Sequence, residues 1–241
     1  TNEERRMKVI EFGIHKSKTE NGFDPDRWFE GRYIVPYDKG GESDTDSGWL
    51  PNYYVPTDYF IDWSSWAVNR MKTLTALERD GKGTDRICSR FQNRDFYFRE
   101  GLTLSYTGQY APNLRFNSIG VFDVGGSSVF TSKNAYMILG NFACKITKFL
   151  GKTFIDHTVN FQVDENKELM MISIDTPEII SLVKQVVKRQ KQEPRYDYLS
   201  NEQKEIDRLV YALYGLNAED IKEIETWYAR RYPKLARLCD I

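Results

Sequence analysis

The stretch from Asn93 to Gly126 constrains the fold most strongly, because it packs aromatic residues, arginines and turn glycines into short runs. Phe, Tyr, Val and Thr are common in these runs, as they are in β-strands. Turn-forming residues separate the runs, at Gly101, Gly108, Pro112, Gly120 and Gly125-Gly126. The pattern predicts a centre of short β-strands over residues 91–132. The stretch offers no set of catalytic residues, so it indicates recognition of a ligand more than its chemical conversion.

Length and composition predict a folded domain with a proper core. The chain has 241 residues, of which 40% are hydrophobic and 14% aromatic. This suffices for one large domain, or for a domain with a small helical addition. The mean hydropathy is −0.59 and the sequence has no long apolar run, so we expect no transmembrane helix and no membrane partner. The first residues lack the apolar core of a signal peptide, and we expect a cytoplasmic protein.

The cysteines and the first residue add two expectations. Cys88, Cys144 and Cys239 lie far apart and are odd in number, which argues against a disulfide framework or a CxxC metal site. We expect all three to be reduced. The chain begins at Thr1 without an initiator methionine, which predicts that it was cut from a longer polypeptide.

The net charge of −1 conceals an uneven distribution. Residues 1–87 carry 13 Lys and Arg against 16 Asp and Glu, residues 88–155 carry 8 against 3, and residues 156–241 carry 13 against 16. The net charges of the three segments are therefore −3, +5 and −3. A basic segment is typical of a surface that contacts a polyanion, although an ordinary solvated surface gives the same composition.

Apolar periodicity predicts two helices before the C-terminal part, an amphipathic helix over residues 62–78 and a short helix over residues 141–150. Two strand pairs are also expected. One lies within Trp28–Tyr37, and the other pairs Thr158–Val163 with Leu169–Ile174.

The C-terminal part predicts three helices. Thr176 followed by Pro177 and an acidic first turn opens a helix that should end near Pro194. Ser200 with Gln203 forms a capping-box pattern that starts a second helix.

Gly215 is expected to end the second helix and Asn217 to start the third. These patterns predict an α+β protein with two parts. Residues 1–175 form a β-rich domain, and residues 176–241 form a C-terminal helical segment that packs on it.

Catalytic patterns are weak. The histidines His15 and His157 have no second His or Cys at ligand spacing, which argues against a zinc site. Neither a GxSxG nucleophile elbow nor a GK[ST] phosphate loop occurs. The trio Asp164, Glu165 and Lys167 is similar to the DxExK pattern of Mg²⁺ nucleases. Neighbouring strand residues point to opposite faces, so an exposed polar turn explains the trio better.

Five segments together resemble the C-terminal half of adenine-specific DNA methyltransferases of the type IIG restriction–modification and BREX-type phage-defence groups. The segments are GRYIVPYDKGGE at 31–42, NRDFYFREGLTLSYTG at 93–108, IGVFDVGGSSVF at 119–130, HTVNFQV at 157–163 and SNEQKEIDRLVYALYGL at 200–216. The resemblance covers the chain from about residue 23 onward. The chain departs from the family at Leu104, where members often have Trp, and at Asp164–Glu168, where they have a basic or apolar run.

The resemblance implies a target-recognition domain similar to those of Taq-type methyltransferases and type I S subunits. Such a domain binds double-stranded DNA while the methyltransferase domain of the same parent chain flips and methylates an adenine with S-adenosylmethionine. The [ND]PP[YFW] motif and the glycine-rich cofactor motif of that domain do not occur here. We therefore expect this chain to bind DNA without catalysis and without a cofactor. A stand-alone Mg²⁺ nuclease and a protein-interaction module remain the alternatives.

Residue chemistry suggests which side chains contact DNA. Arg and Lys suit phosphates and guanine edges, Asn and Gln suit adenine edges, and hydroxyl or aromatic groups position the backbone. Lys39 lies beside two glycines that would allow close approach to a phosphate, and Asn160 and Gln162 share one face of a predicted strand. The full candidate set is Lys39, Gly40, Gly41, Arg99, Thr103, Tyr106, Arg115, Lys133, Asn160 and Gln162.

Overall fold

A computed structural model provides the fold. It describes residues 14–16, 34–38, 49–57, 59–63, 67–73, 93–105, 108–123, 126–158, 168–169, 171–172 and 174–238. The chain divides into two compact units. Unit 1 comprises Thr1–Asp38, Thr57–Arg99 and Ser118–Asp123, and unit 2 comprises Lys39–Pro56, Glu100–Asn117 and Val124–Ile241.

Unit 1 contains a sheet of four short strands in the order β1-β3-β2-β6. The strands are β1 (Ile14–Lys16), β2 (Ile34–Asp38), β3 (Tyr59–Asp62) and β6 (Val121–Phe122). β3 pairs antiparallel with both β1 and β2, whereas β2 and β6 are parallel. Residues 67–73 are helical. The predicted helix therefore begins later than residue 62, which belongs to β3.

The described residues of unit 1 form a small apolar cluster. Val35, Ile61 and Val121 are buried, and Tyr37 and Tyr97 are among the residues that pack against them. Close backbone approach adds to this packing, because a Cβ atom on Gly120 would lie 2.1 Å from the carbonyl oxygen of Pro36. Only glycine fits at that position.

Unit 2 contains a three-stranded antiparallel sheet and six helices within its described residues. The strands are β4 (Leu102–Ser105), β5 (Asn113–Phe116) and β7 (Ser128–Val129), in the order β5-β4-β7. The helices are α1 (Ala135–Ala143), α2 (Lys145–Leu150), α3 (Pro177–Gln192), α4 (Glu202–Leu213), α5 (Ala218–Arg231) and α6 (Pro233–Leu238). A one-turn π-helix, Gly151–Ile155, follows α2.

One apolar core joins the sheet of unit 2 to its helices. Leu102, Leu139, Val183 and Ile206 from different elements are each at most 2% exposed in this core. The chain is therefore an α+β protein, as predicted. The sheet and helices of unit 2 share their core, and this grouping differs from the expected division at residues 175 and 176.

Local end signals predict the C-terminal helices well. α3 begins at Pro177 and ends at Gln192, as expected. Gly215, with a φ of 67°, follows α4 in a Schellman arrangement, in which its N–H donates to the Ala212 carbonyl oxygen. The N-terminus of α5 is a capping box between Asn217 and Asp220.

Four other expectations need correction or are not covered. The predicted helix over residues 141–150 is two helices, which meet at the extended backbone of Cys144. α4 begins at Glu202 with Asn201 as its N-cap, and no side-chain hydrogen bond caps it. The second strand of Trp28–Tyr37 is found, but its antiparallel partner is β3. The strand pair expected over Thr158–Ile174 falls largely outside the described residues.

A buried polar network connects residues 49–56 to the helices of unit 2. The Tyr53 hydroxyl donates to Gln203 Oε1 at 2.7 Å, and Gln203 Nε2 donates to Asp207 Oδ1 at 3.0 Å. On α3, Gln190 Oε1 accepts from the N–H of Tyr54 at 3.0 Å. These contacts give buried amide groups the partners they require.

Candidate nucleic-acid interface

Half of the cations of segment 88–155 lie inside the protein. Arg115, Lys145, Lys148 and Lys152, half of the eight cations in this segment, are between 1% and 6% exposed. Three of the others, Arg94, Arg99 and Lys133, are exposed, and Arg90 lies outside the described residues. The net charge of +5 calculated from the sequence is therefore not the charge of a surface.

Ion pairs with two carboxylates compensate the charge of the buried Lys145. Its Nζ lies 2.7 Å from Glu225 Oε2 on α5 and 3.6 Å from Asp207 Oδ2 on α4. The Tyr211 hydroxyl donates to the other Glu225 oxygen at 2.8 Å. Burial raises the pKa of Asp207, and the nearby Lys145 cation opposes that shift. The group connects α2, α4 and α5, and thus has a structural role.

Lys148 is buried more deeply, at 1% exposed. Its Nζ donates to the backbone oxygens of Tyr110 at 2.7 Å and Pro112 at 2.8 Å. Burial, with a smaller contribution from the Lys152 cation, lowers the pKa of Lys148 to about 7. The side chain fixes the chain segment that leads into β5.

Two predicted DNA contacts, Thr103 and Arg115, are inside unit 2. They face each other across β4 and β5 and are 0% and 2% exposed. Arg115 Nη1 donates to Ser105 Oγ at 2.7 Å. A duplex could reach these side chains only if the sheet opened, so we leave both out of the proposed interface and assign them to the fold.

Two other predicted contacts are accessible. Lys133 is exposed, and it directly precedes Asn134, the N-cap of α1. Arg99 is exposed in unit 1, where its guanidinium carbon lies 5.4 Å from the centre of the Phe96 ring. The remaining candidates lie outside the described residues. They are Lys39, Gly40, Gly41, Tyr106, Asn160 and Gln162.

Arg99 belongs to a group that we name the arginine–aromatic loop, comprising Arg94, Phe96, Phe98, Arg99 and Ile119 of unit 1. All five residues are exposed. The large apolar side chains Phe96, Phe98 and Ile119 are 41%, 43% and 51% exposed. Single exposed apolar residues are common, but Phe96 and Phe98 on one loop, with Ile119 next to the Gly120 that bonds to Phe98, indicate a contact surface.

Packing within unit 1 anchors this loop. A 3-10 turn, Arg94–Phe96, is followed by Tyr97, which is half-buried and contacts the rings of Trp63 and Phe122 at centroid distances of 5.7 and 5.3 Å. Burial raises the pKa of Tyr97. The N–H of Phe98 donates to the Gly120 carbonyl oxygen at 2.9 Å. Tyr97 therefore anchors the loop while Phe96 and Phe98 stay at the surface.

The backbone of the loop is strained at three positions. Asn93, Phe98 and Ile119 have φ values of 54°, 60° and 48°. Asparagine tolerates this left-handed region, whereas a β-branched residue such as isoleucine rarely adopts it. Strain of this kind costs on the order of 1–3 kcal/mol per residue and is concentrated at functional sites. Phe96, Phe98 and Ile119 were not among the residues predicted to contact DNA, although the Phe-Tyr-Phe triplet between two arginines was an available signal in the sequence.

Such a surface suits nucleic acid chemically. Aromatic faces stack on bases, and guanidinium groups bind phosphates or guanine edges. Asp95 and Glu100 flank the arginines and are also exposed, so the loop is not a simple cationic patch.

Comparisons with known proteins add no family assignment. No protein-family model matches the chain, and no curated protein matches its sequence. Among the described residues, no group of three His, Cys, Asp or Glu side chains could hold a metal ion. The described part of the chain also contains no helix with the length and apolar character needed to cross a membrane.

Proposed function

We propose that the chain is the DNA sequence-recognition part of a site-specific adenine-N6 DNA methyltransferase or of a fused restriction–modification enzyme. In this proposal the chain has a target-recognition fold of the Taq-type or S-subunit-like kind. It binds double-stranded DNA, and the methyltransferase domain of the same parent chain binds S-adenosylmethionine and transfers the methyl group.

One observation supports this proposal most directly. Parts of three of the segments that resemble the methyltransferase family, residues 34–38, 93–99 and 119–123, meet in unit 1. Tyr37 pairs with Val121 in the sheet, and Ser118, just before the third segment, donates from its N–H to Asp38 Oδ2 at 2.8 Å. The Phe98 N–H bond to Gly120 joins the second segment to the third.

The arginine–aromatic loop adjoins this junction through the bond from the Phe98 N–H to Gly120. A role limited to packing would place Phe96 and Phe98 in the core, since burial of a Phe side chain contributes about 1.5–3 kcal/mol. The structure instead leaves both rings exposed, Phe98 on a left-handed backbone with its ring centre 5.4 Å from that of Trp63. Contact with a ligand gives a reason for keeping them there, and the adjacent arginines match a polyanion.

Fluorescence anisotropy with labelled duplexes tests the proposal. The 241-residue chain should bind duplex DNA at low salt, and the Phe96→Ala/Phe98→Ala and Arg99→Gln variants should bind more weakly. Lys222→Gln, a charge change on the exposed face of α5, should bind like the wild type. Thermal melting of each variant shows whether a loss of affinity comes from unfolding.

The alternatives give different results. Cleavage of DNA in Mg²⁺ that is lost in Glu165→Gln would favour the nuclease centred on Asp164, Glu165 and Lys167. Failure of the wild-type chain to bind any duplex at low salt would contradict the proposed function and favour a protein-interaction module. Calorimetric binding of S-adenosylmethionine at micromolar affinity would contradict the division of labour with a separate methyltransferase domain.

A further inference from the structure

Helix α3 has two different sides. Its buried side consists of Ile179, Val183, Val186, Val187 and Gln190. The exposed residues Lys184, Lys188 and Lys191 are spaced four and three residues apart, so they lie on one side of the helix. Arg195, four residues beyond Lys191, is also exposed. We name Lys184, Lys188, Lys191 and Arg195 the basic stripe.

Aromatic rings accompany three of these four cations. Lys184 Nζ lies 5.3 Å from the centre of the Tyr136 ring, and Lys191 Nζ lies 5.5 Å from that of Tyr54. The guanidinium carbon of Arg195 lies 5.4 Å from the Trp49 ring centre. Cation–π contacts at such distances are weakly attractive. They restrict long side chains that would otherwise move freely, and they place half-buried rings beside the charges.

Acidic residues do not interrupt the three lysines of the stripe in the sequence, whereas Glu193 lies between Lys191 and Arg195. Between Glu178 and Glu193 the chain has four cations and no Asp or Glu. The fourth cation, Arg189, lies outside the stripe, with Nε 3.6 Å from Glu202 Oε1 and Nη1 2.7 Å from the Tyr196 hydroxyl. The stripe is thus a row of like charges, while Arg189 is held by α4 and the turn before it.

Helix stability alone does not explain this arrangement. Cations near a helix C-terminus interact favourably with the helix dipole, which accounts for Lys188 and Lys191. Lys184 is more than two turns from the end, and it forms a repulsive pair with Lys188, four residues away. A mixed pattern, as on α4 where Arg208 pairs with Glu205 at 2.7 Å, would be more stable.

We infer that the basic stripe binds the phosphate backbone of double-stranded DNA. Residues 184 and 191 are separated by about 10 Å along the helix, at 1.5 Å per residue. One DNA strand carries a phosphate for every ~3.4 Å of helix axis, so three long lysine side chains can reach successive phosphates. This contact reads no bases, and it supplies affinity and orientation.

The inference rests on the proposed function and adds a second DNA contact, in the helical part that sequence analysis assigned to packing. The two contacts differ in chemistry. Loss of a stripe cation should weaken all duplexes alike, whereas loss of a base-contacting residue should change the preference for sequence.

A matched pair of triple variants tests the stripe. Lys184→Gln/Lys188→Gln/Lys191→Gln removes three charges from it. Lys204→Gln/Lys222→Gln/Lys234→Gln removes three charges from exposed positions on α4, α5 and α6. The measurement is duplex affinity of the full chain by anisotropy between 50 and 200 mM salt. The slope of log K against log salt should become shallower by about two to three units in the first variant, and should change much less in the second.

Further variants and a vesicle-binding control distinguish the possible outcomes. The charge-preserving Lys184→Arg/Lys188→Arg/Lys191→Arg variant should keep the wild-type slope. If the triple Gln variant does not fold, the three single Lys→Gln variants replace it, and each should make the slope shallower by about one unit. An unchanged slope in a folded Gln variant overturns the stripe while the proposed function stands. Equal loss in both Gln variants also overturns it, because general charge then explains binding. Absence of duplex binding by the wild type contradicts the proposed function and the stripe together. Tighter binding to vesicles with 30% phosphatidylserine than to duplex at equal salt would identify a membrane surface as the partner.

Discussion

Lys148 Nζ lies 2.7 Å from the backbone oxygen of Tyr110, and the side chain that makes this contact is 1% exposed. A second carbonyl, that of Pro112, accepts from the same nitrogen at 2.8 Å. The cation thus replaces water for two backbone oxygens in the connection between β4 and β5. Burial opposes its charge, and the protein contains a group that titrates near neutral pH.

This group should make stability depend on pH. On folding, the pKa of Lys148 falls from 10.5 to about 7. Between these pH values the unfolded chain binds a proton that the folded chain releases, so the free energy of unfolding rises with pH. For one group the rise is at most about 1.4 kcal/mol per pH unit. Urea unfolding between pH 7 and 9 measures it, below the range where tyrosines titrate.

The matched variant is Lys148→Met, which keeps the length of the side chain. It should be less stable at pH 9, since each buried carbonyl left without its donor costs about 1–3 kcal/mol. Its pH profile should also be flatter than that of the wild type. Parallel profiles for the two proteins would show that Lys148 does not titrate in this range.

Close packing at Gly140 predicts a second effect. Alanine favours a helix over glycine by about 1 kcal/mol, but a Cβ atom here would lie 2.7 Å from Ile179 Cγ2. Overpacking of a core costs about 1–3 kcal/mol, so Gly140→Ala should destabilise the protein. Chemical unfolding of the single and double variants with Ile179→Ala provides the check. If Gly140 clashes with Ile179 when it is replaced, the double variant should lose less stability than the sum of the two single losses, because Ile179→Ala relieves the clash. Additive losses would show that no clash exists.

Burial in α4 ranks its apolar residues. Ile206 is 0% exposed, whereas Leu209 is half-buried. Ile206→Ala should therefore lower the free energy of unfolding by about 2–5 kcal/mol, and Leu209→Ala by less. The exposed Lys222→Ala should have almost no effect. Equal losses for Ile206 and Leu209 in denaturant melts would contradict the arrangement of α4 in the core.

Local signals in the sequence predicted helix ends correctly where the residues that form the cap are close together in the chain. Pro177 fixes the start of α3, and the capping box of Asn217 involves residues three apart. The capping box expected at Ser200 and Gln203 did not form, because the Gln203 side chain bonds to Tyr53 and Asp207 in the core. Tyr53 is 150 residues away. No local pattern reveals a competitor at that distance.

The prediction of surface charge from the sequence failed for a related reason. A count along the sequence treats Lys148 and Lys184 as equal, although one is buried and the other exposed. The basic segment 88–155 therefore overstated its surface charge. The C-terminal third, with a net charge of −3, concealed the basic stripe on α3. The exposed lysines of α3 become apparent only from the structure, because its valines pack into the core and its lysines lie on another side of the helix.

The arginines predicted to contact DNA should now behave differently from one another. Arg99→Ala and Lys133→Ala remove exposed cations, and each should make the slope of log K against log salt shallower by about one unit if it removes a phosphate contact. Arg115→Ala should act on the fold instead, because it removes a buried donor to Ser105 Oγ at a cost of about 1–3 kcal/mol. Binding by Arg115→Ala, corrected for the folded fraction from melting curves, should match that of the wild type.

A guanine contact by Arg99 would appear as relaxed preference at one base pair, worth about 1–3 kcal/mol. Wild-type binding by the Arg99→Ala/Lys133→Ala double variant would remove both residues from the DNA surface, and a specific loss in folded Arg115→Ala would show that the sheet opens on binding.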